Sequence, residues 1–159
     1  MTPARKKAAR PARGAGAARA AGKAPAAGYS GTLLPQKLGF KEGTQAAVAG
    51  APRGLKQLLG ALPKGATLAA PASAALDLGL IFVTRAVDLR RAVPIWTHRL
   101  KPAGMLWVAW PKKASGAETD LAEDVVRHVG LQCGLVDVKV CAIDATWSGL
   151  KLVRRLRDR

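Results

Sequence analysis

Short apolar runs alternate with amphipathic segments from Thr44 to the end of the chain. The first four apolar runs predict strands at TQAAVAG (44–50), ATLAAP (66–71), LDLGLIFVT (76–84) and GMLWVAW (104–110). Three segments with helical spacing follow or separate them: PRGLKQLLGAL (52–62), RAVDLRRAVPIWTHRLK (85–101) and ETDLAEDVVRHVGLQC (118–133). Such alternation is typical of a mostly parallel sheet covered by helices on both faces. Pro94 lies inside the second helical segment and predicts a kink or a break there.

The last two apolar runs predict a hairpin. LVDVKVCAID (135–144) and WSGLKLVRRL (147–156) are separated by too few residues for a parallel crossover, so the second run is expected to return antiparallel. The pattern as a whole predicts one α/β domain over residues 29–159. Its sheet is doubly wound, Rossmann-like and mostly parallel, with a C-terminal antiparallel hairpin strand.

Residues 1–28 have a different composition, and we call them the basic tail. They hold no acid and no large apolar side chain except Met1, and proline and glycine interrupt them throughout. Too little apolar surface is present to offset the entropy of ordering, so this segment is predicted to be disordered. A transit peptide is the competing interpretation, against which the frequent Pro and Gly and the scarcity of Ser count. The basic residues are Arg5, Lys6, Lys7, Arg10, Arg13, Arg19 and Lys23.

The charge balance favours polyanionic partners. The formal net charge is +16, from 26 Lys and Arg and 10 Asp and Glu, so we predict contact with DNA or RNA through the basic tail. Genomic base composition is a competing explanation for the excess of Ala, Gly and Arg. No apolar run is long enough for a membrane span and no secretory signal begins the chain, so no membrane partner and a cytoplasmic location, with the nucleoid as one place within it, are expected. Cys133 and Cys141 lack metal-ligand spacing and are interpreted as small buried thiols.

Two levels of resemblance are present. The run LDLGLIFVT before a helix, the run LKPAGMLWVAWP (100–111) and the closing hairpin resemble the methyltransferase-like branch of Rossmann folds. More specifically, KLGFKEG (37–43), WPKKASGAETDLAEDVVR (110–127) and GLVDVKVCAIDATWSGLKLV (134–153) resemble an uncharacterised bacterial family, domain of unknown function 3052. That resemblance covers nearly all of residues 29–153. Since the family has no established activity, it implies a fold and no function.

The chain departs from methyltransferase-like enzymes where they bind their cofactor. Those enzymes usually have a GxGxG-type turn after the first strand and an acid at the end of the second. Here Pro52 and Arg53 stand between Gly50 and Gly54, and no acid follows the second strand in LAAPASA (68–74). We therefore predict that S-adenosylmethionine and NAD bind weakly or not at all, and that no cofactor is needed. No catalytic motif is present, so a protein without enzymatic activity is favoured.

The carboxyl edge of the predicted sheet carries the candidate ligand site. Lys112 and Lys113 follow the strand that ends in Trp110, and Ser115 with Glu118 fits a capping box at the start of the next helix, with Thr119 as a rival cap. Ammonium groups beside helix-terminal N–H donors make an anion site. Residues from other loops at the same edge are expected to contribute to this anion site. The predicted ligand-binding residues are Arg53, Lys112, Lys113, Ser115, Gly116, Thr119, Asp144 and Trp147.

Competing structural interpretations exist for each of these residues. The lysines can be a solvated loop, Ser115 a simple cap, Trp147 a packing residue and Asp144 the cap of the hairpin turn. From the sequence we favour a non-catalytic or cryptic Rossmann-like module with a nucleic-acid-binding tail and an anion or nucleotide site at the carboxyl edge. The alternatives are an enzyme acting on a phosphorylated or nucleotide substrate, and a protein-interaction module that uses the tail on an acidic partner.

Overall fold

A computed structural model describes residues 32–70 and 72–159 of the chain. The basic tail lies outside these residues, so its predicted disorder, the boundary at residue 29 and its contacts with nucleic acid stay predictions. Within the described part, no helix is both long enough and apolar enough to cross a lipid bilayer.

The described residues form one six-stranded sheet. Its strands are β1 (Gln45–Ala49), β2 (Thr67–Ala69), β3 (Leu76–Phe82), β4 (Leu100–Pro111), β5 (Leu135–Ala142) and β6 (Trp147–Arg154). Their order across the sheet is β2-β1-β3-β4-β6-β5. The first four strands pair in parallel, whereas β6 is antiparallel to both β4 and β5. The predicted mostly parallel sheet with an antiparallel C-terminal strand is therefore confirmed.

Within the described residues, four α-helices cover the sheet. They are α1 (Leu34–Leu38), α2 (Leu55–Leu59), α3 (Ala86–Arg99) and α4 (Glu123–Gln132). Helices α1 and α2 contribute to one apolar cluster with Leu78, Leu80 and Trp107, while α3 and α4 contribute to another with Leu106 and Leu150. Because side chains alternate along a strand, the two clusters lie on opposite faces of the sheet. The doubly wound arrangement follows from this placement.

One buried hydrogen bond fixes α1 to the sheet. The indole of Trp107 is fully buried in β4, and its Nε1 donates to the backbone oxygen of Leu38 at 2.7 Å. An indole N–H needs a partner when it is buried, so the contact satisfies both groups. Helix α1 was not predicted, because five residues are too short for a recognisable helical period.

Two helices differ from prediction in part. Helix α3 is continuous through Pro94, where Leu89, Val93 and Trp96 anchor the turns on both sides in the core, so the predicted break is absent and a kink there stays a prediction. Helix α4 begins at Glu123 rather than near residue 118. Residues 117–122 form a loop instead, because their polar side chains bond to other segments, as described below.

Candidate functional site

The turn after β1 lies where the order of the strands reverses, since β2 and β3 lie on opposite sides of β1. Ligands of open α/β sheets bind outside the carboxyl ends of the strands at such a point. Gly50 has φ +70°, and a Cβ there would lie 2.6 Å from the carbonyl oxygen of Phe82 at the end of β3. A side chain at this position would push β1 and β3 apart. Glycine is therefore required where the turn leaves the sheet.

A cavity of about 430 Å³ opens beside this turn, and we call it the switch-point cavity. Its volume is in the range of roughly 300–1,000 Å³ that is usual for small-molecule sites. Apolar atoms from β1, β2 and the start of α2 form most of its wall, and two polar side chains of α2 reach it. The lining includes Val48, Pro52, Leu55, Lys56, Gln57 and Leu68.

Gly54 leaves part of this wall without side chains. It has φ +85° and lies directly before α2, and a Cβ built on it would meet nothing within 4 Å. The turn therefore presents bare backbone toward open space. Arg53, a predicted ligand residue, is exposed in the same turn. Pro52 and Arg53 were expected to crowd a ligand, and Pro52 does line the switch-point cavity.

A second cavity of about 360 Å³ lies at the end of β3, between Arg85 and the loop 118–120. Thr119 donates its hydroxyl to the carbonyl oxygen of Thr84 at 2.6 Å and accepts from the backbone N–H of Leu121. Asp120 accepts the first N–H of α3, that of Ala86, at 2.7 Å. We call this the acceptor-side cavity.

These contacts correct the predicted cap of α4. Thr119 bonds to the end of β3 rather than to α4, and Asp120 caps α3 instead, 4.0 Å from the guanidinium of Arg85. The loop is therefore held by the neighbouring strand and helix. Asp120 is 34 residues from Ala86 in the sequence, and Thr119 is 35 residues from Thr84. Only the folded chain therefore reveals these hydrogen bonds.

The loop after β4 carries the two predicted lysines. Lys112 is half-buried, and its backbone N–H donates to the carbonyl oxygen of Thr146 in the hairpin turn at 2.8 Å. Lys113 is exposed. Ser115 ends a short 3₁₀ helix, donates its hydroxyl to the carbonyl oxygen of Lys112, and accepts from Ala117. Ser115 therefore closes its own turn, and the predicted capping box is wrong. Gly116 follows with φ +77°.

In the hairpin turn beside this loop, Asp144 and Trp147 have the structural roles named as competing interpretations of the sequence. The carboxylate of Asp144 accepts the backbone N–H groups of Thr146 and Trp147, both at 2.8 Å. Trp147 is half-buried and packs edge-to-face on Phe82, with ring centroids 5.0 Å apart. Asp144 thus caps the turn and Trp147 joins the core. Their binding of a ligand stays a prediction.

Several residues of the two cavities were not predicted. Gln57 and Lys56 look in sequence like the solvated face of a helix, and Arg85, Glu118 and Asp120 look like ordinary helix-end charges. Strand order brings them to one edge: β1 and β4 flank β3, so the turns after β1 and β4 are about 10 Å apart. The predicted convergence of these loops on the carboxyl edge is confirmed by that order.

Solved structures share this fold at low sequence identity. A possible exported protein from Bordetella parapertussis matches with a TM-score of 0.55 and 12% identity, over 77% of this chain and 66% of that one. An O-methyltransferase of neocarzinostatin biosynthesis, in complex with S-adenosylmethionine, matches with 0.51 and 9%, over 71% and 49%. Magnesium protoporphyrin IX methyltransferase from Synechocystis PCC 6803, with bound S-adenosylmethionine, matches with 0.50 and 8%, over 77% and 74%.

The matches differ in extent. This chain spans about half the length of the neocarzinostatin enzyme and about two thirds of the Bordetella protein. No protein-family model and no curated protein matches the chain. The specific resemblance to domain of unknown function 3052 therefore stays a prediction.

The comparisons contradict three predictions from the sequence. The favoured non-catalytic module, the absence of enzymatic activity and the exclusion of S-adenosylmethionine are wrong, because the fold is shared with S-adenosylmethionine-dependent methyltransferases, two of which hold that cofactor. The prediction about the cofactor rested on Pro52 and Arg53 between the two glycines and on the missing acid after the second strand. Gly50 and Gly54 have positive φ angles of +70° and +85° in this turn. The exclusion of NAD stays a prediction. The chain has the Rossmann-like fold of S-adenosylmethionine-dependent methyltransferases.

Proposed function

We propose that this protein is an S-adenosylmethionine-dependent methyltransferase that binds its cofactor in the switch-point cavity. The observation that carries the proposal is the position of that cavity, which lies at the carboxyl ends of β1 and β2 beside the glycine turn. Both the site and the fold favour a nucleoside-bearing ligand at this point of the sheet.

The residues of the cavity fit such a cofactor. Val48, Leu55 and Leu68 form an apolar wall suited to an adenine ring, and the Gln57 amide can both donate to and accept from ribose hydroxyls. The Lys56 ammonium is a partner for the carboxylate of the methionine part. When bound, the cofactor supplies an electrophilic methyl group on a sulfonium. The residues of this chain hold and orient it and exclude water from the apolar wall.

The acceptor-side cavity supplies the groups that an acceptor would meet. Strand β3 is next to β1, so this cavity adjoins the turn that borders the switch-point cavity. Asp120 is occupied as the cap of α3, whereas Glu118 forms no ion pair or hydrogen bond within the described residues. In this proposal Glu118 would act as the general base and take the proton from the hydroxyl or amine of the acceptor.

Basic residues at the same edge favour an acceptor with an anionic group. Arg85 lines the acceptor-side cavity, and Lys112 and Lys113 follow β4, the next strand. The second proposal is therefore that these three side chains attract a phosphorylated or nucleotide acceptor. Thr119 orients the loop between them through its bond to Thr84.

Binding of the cofactor can be measured directly by calorimetry and by thermal melting of the full chain. A ligand that binds only the native state adds about 2.7 kcal/mol at a hundredfold excess over Kd, which corresponds to a rise in Tm of roughly 5–15 °C. Both S-adenosylmethionine and S-adenosylhomocysteine are expected to give this rise. The absence of heat and of any shift with either ligand would refute the proposal.

A blocking variant ties the binding to the cavity. Ala51 is exposed and lines the switch-point cavity, so Ala51→Phe is expected to fill the cavity and remove the cofactor-dependent rise in Tm. Ala74→Phe is the matched control, because Ala74 is also exposed but precedes β3 at the opposite edge of the sheet. Equal loss in both variants, or retention in Ala51→Phe, would show that the cofactor binds elsewhere.

The anionic acceptor is tested with the cofactor product S-adenosylhomocysteine present. Nucleoside monophosphates are expected to raise Tm further, and Lys112→Ala with Lys113→Ala to remove that extra rise while leaving unliganded stability within about 0.5 kcal/mol. Arg90→Ala with Arg91→Ala removes the same charge from exposed positions on α3 and serves as the control. Equal effects of the two double variants would indicate general charge screening instead.

A further inference from the structure

A groove of about 460 Å³ lies between α1 and the paired strands β5 and β6, and we call it the lysine groove. The chain builds it from segments more than a hundred residues apart. Its lining includes hydroxyl, amide, ammonium and thiol groups from Thr32, Gln36, Lys37, Lys139, Cys141 and Ser148. The ammonium of Lys139 donates to the carbonyl oxygen of Lys37 at 3.3 Å, which holds that lysine over the end of α1.

Like charges are concentrated beside this groove. Lys139 and Lys151 are directly opposite each other in the β5–β6 pairing. Such a pair places two Cβ atoms about 5 Å apart, and like charges in this position are destabilising. Lys139, Lys151 and nearby Lys41 form no ion pair with a carboxylate in the described part of the chain. The fold therefore maintains a repulsion that no internal anion relieves.

The ionisable groups respond to this concentration of charge. Burial lowers the pKa of Lys151, and the ammonium groups of Lys139 and Lys41 lower it further. Burial raises the pKa of the Cys141 thiol, and the positive charges of Lys37 and Lys139 partly oppose that rise. The positive charges of Lys37, Lys41 and Lys139 thus lower the pKa of Lys151 or of the Cys141 thiol, as expected for a single electropositive surface.

We propose that the lysine groove binds the phosphodiester backbone of a single strand of nucleic acid. A phosphate in the groove relieves the repulsion between Lys139 and Lys151, and the hydroxyl and amide groups of the lining offer hydrogen bonds to its oxygens. A row of lysines rather than one pocket favours a polymer with repeated charges. The inference does not depend on methyl transfer.

The sequence upstream of the groove supports the same partner. Thr32 lines the groove and is the first residue that the structure describes. The basic tail, with its seven Lys and Arg residues and no acid, precedes Thr32 in the sequence, and Lys23 is nine residues before it. These charges in the same chain favour a polyanionic partner.

Cysteine alkylation gives a footprint with an internal control. The full chain is treated with iodoacetamide, with and without a 20-nucleotide single-stranded DNA or RNA, and modification of each cysteine is followed by mass spectrometry. Cys141 lines the groove, whereas Cys133 is half-buried at the end of α4. At ten times Kd the groove is free about a tenth of the time, so alkylation of Cys141 is expected to slow about tenfold while that of Cys133 is unchanged.

Charge variants test the lysines themselves. Lys139→Gln with Lys151→Gln is expected to reduce the slope of log K against log salt by about 1.4, which is about 25-fold in affinity at 0.1 M salt. Protection of Cys141 should be lost as well. Arg90→Gln with Arg91→Gln removes the same charge from α3, on the opposite face of the sheet, and should keep the protection of Cys141.

Three results would overturn the inference. One is unchanged alkylation of Cys141 while fluorescence anisotropy shows the oligonucleotide bound, since binding would then lie elsewhere on the chain. The second is an equal loss of affinity and of protection in the two double variants. The third is equal protection by polyglutamate of matched charge, because the groove would then recognise acidic polymers in general.

Discussion

Replacing Gly50 with alanine is expected to destabilise the protein by about 2–5 kcal/mol, and replacing Gly54 by only about 1–2 kcal/mol. Both glycines have a positive φ, +70° and +85°, so the left-handed conformation of an alanine lowers the free energy of unfolding by roughly 1–2 kcal/mol at either position. They differ in their surroundings. A Cβ at Gly50 would lie 2.6 Å from the carbonyl oxygen of Phe82, whereas a Cβ at Gly54 would meet nothing within 4 Å.

The additional penalty at Gly50 comes from the sheet. Phe82 belongs to β3, which pairs with β1 on one side and β4 on the other, so its carbonyl cannot move without disturbing a ladder. Overpacking of this kind costs about 1–3 kcal/mol. Gly54 borders open space and lines the switch-point cavity, so Gly54→Ala lacks this additional penalty and should narrow that cavity instead.

Urea unfolding at equilibrium measures the difference. With a slope m of about 1.5 kcal/mol per M, Gly50→Ala is expected to lower the midpoint by roughly 1.3–3.3 M and Gly54→Ala by roughly 0.7–1.3 M. The comparison is valid if m is the same in all three proteins. Equal midpoints for the two variants would refute the argument that the turn must touch β3 at Gly50.

Two further predictions concern the frame of the fold. Trp107→Phe removes the donor to the buried carbonyl of Leu38 and is expected to lower the free energy of unfolding by about 1–3 kcal/mol. Urea unfolding measures this loss, and an unchanged free energy of unfolding would contradict the role of this bond. Burial alone would raise the pKa of Asp77, but a backbone N–H donor and the Lys101 ammonium outweigh it and lower the pKa below 3.8. The folded pKa is depressed, so this stabilisation is present above pH 3.8 and is lost as the pH falls through the folded value. Asp77→Asn should therefore flatten the acid limb of a melting-temperature profile, and an unchanged limb would contradict this assignment.

The order of the six strands and of helices α2, α3 and α4 could be predicted from the sequence because it is encoded locally. Strand β3 is indicated by the apolar run LDLGLIFVT, and helix α3 by the helical spacing of Leu89, Val93 and Trp96. The short connection at residues 143–146 permits only a hairpin. The convergence of loops at the carboxyl edge then follows from the connectivity of parallel strands. For the same reason the two lysines after β4 could be placed at that edge in advance.

The sequence misled where the outcome depended on contacts between distant segments. Ser115 and Thr119 match a helix cap in spacing, but Thr119 bonds to the end of β3 and Asp120 caps α3, so α4 begins later. S-adenosylmethionine was excluded because Pro52 and Arg53 interrupt a motif and because no acid follows the second strand. The φ angles of Gly50 and Gly54 and the cavity beside them depend on the folded turn, and the motif does not report them.

Tertiary structure alone decided the surfaces on which the proposals rest. Lys37 and Lys139 have no common motif, and they line one groove, with Lys151 opposite Lys139, only because β6 returns beside β4 and α1 packs on Trp107. The switch-point cavity likewise needs β2 to pair with β1, and the paired residues are 22 positions apart in the chain, as in Gln45 and Thr67. Local periodicity determines which elements form, since it depends on neighbours within a few residues. Sites join side chains across the sheet, and their geometry is fixed by the packing of the whole domain.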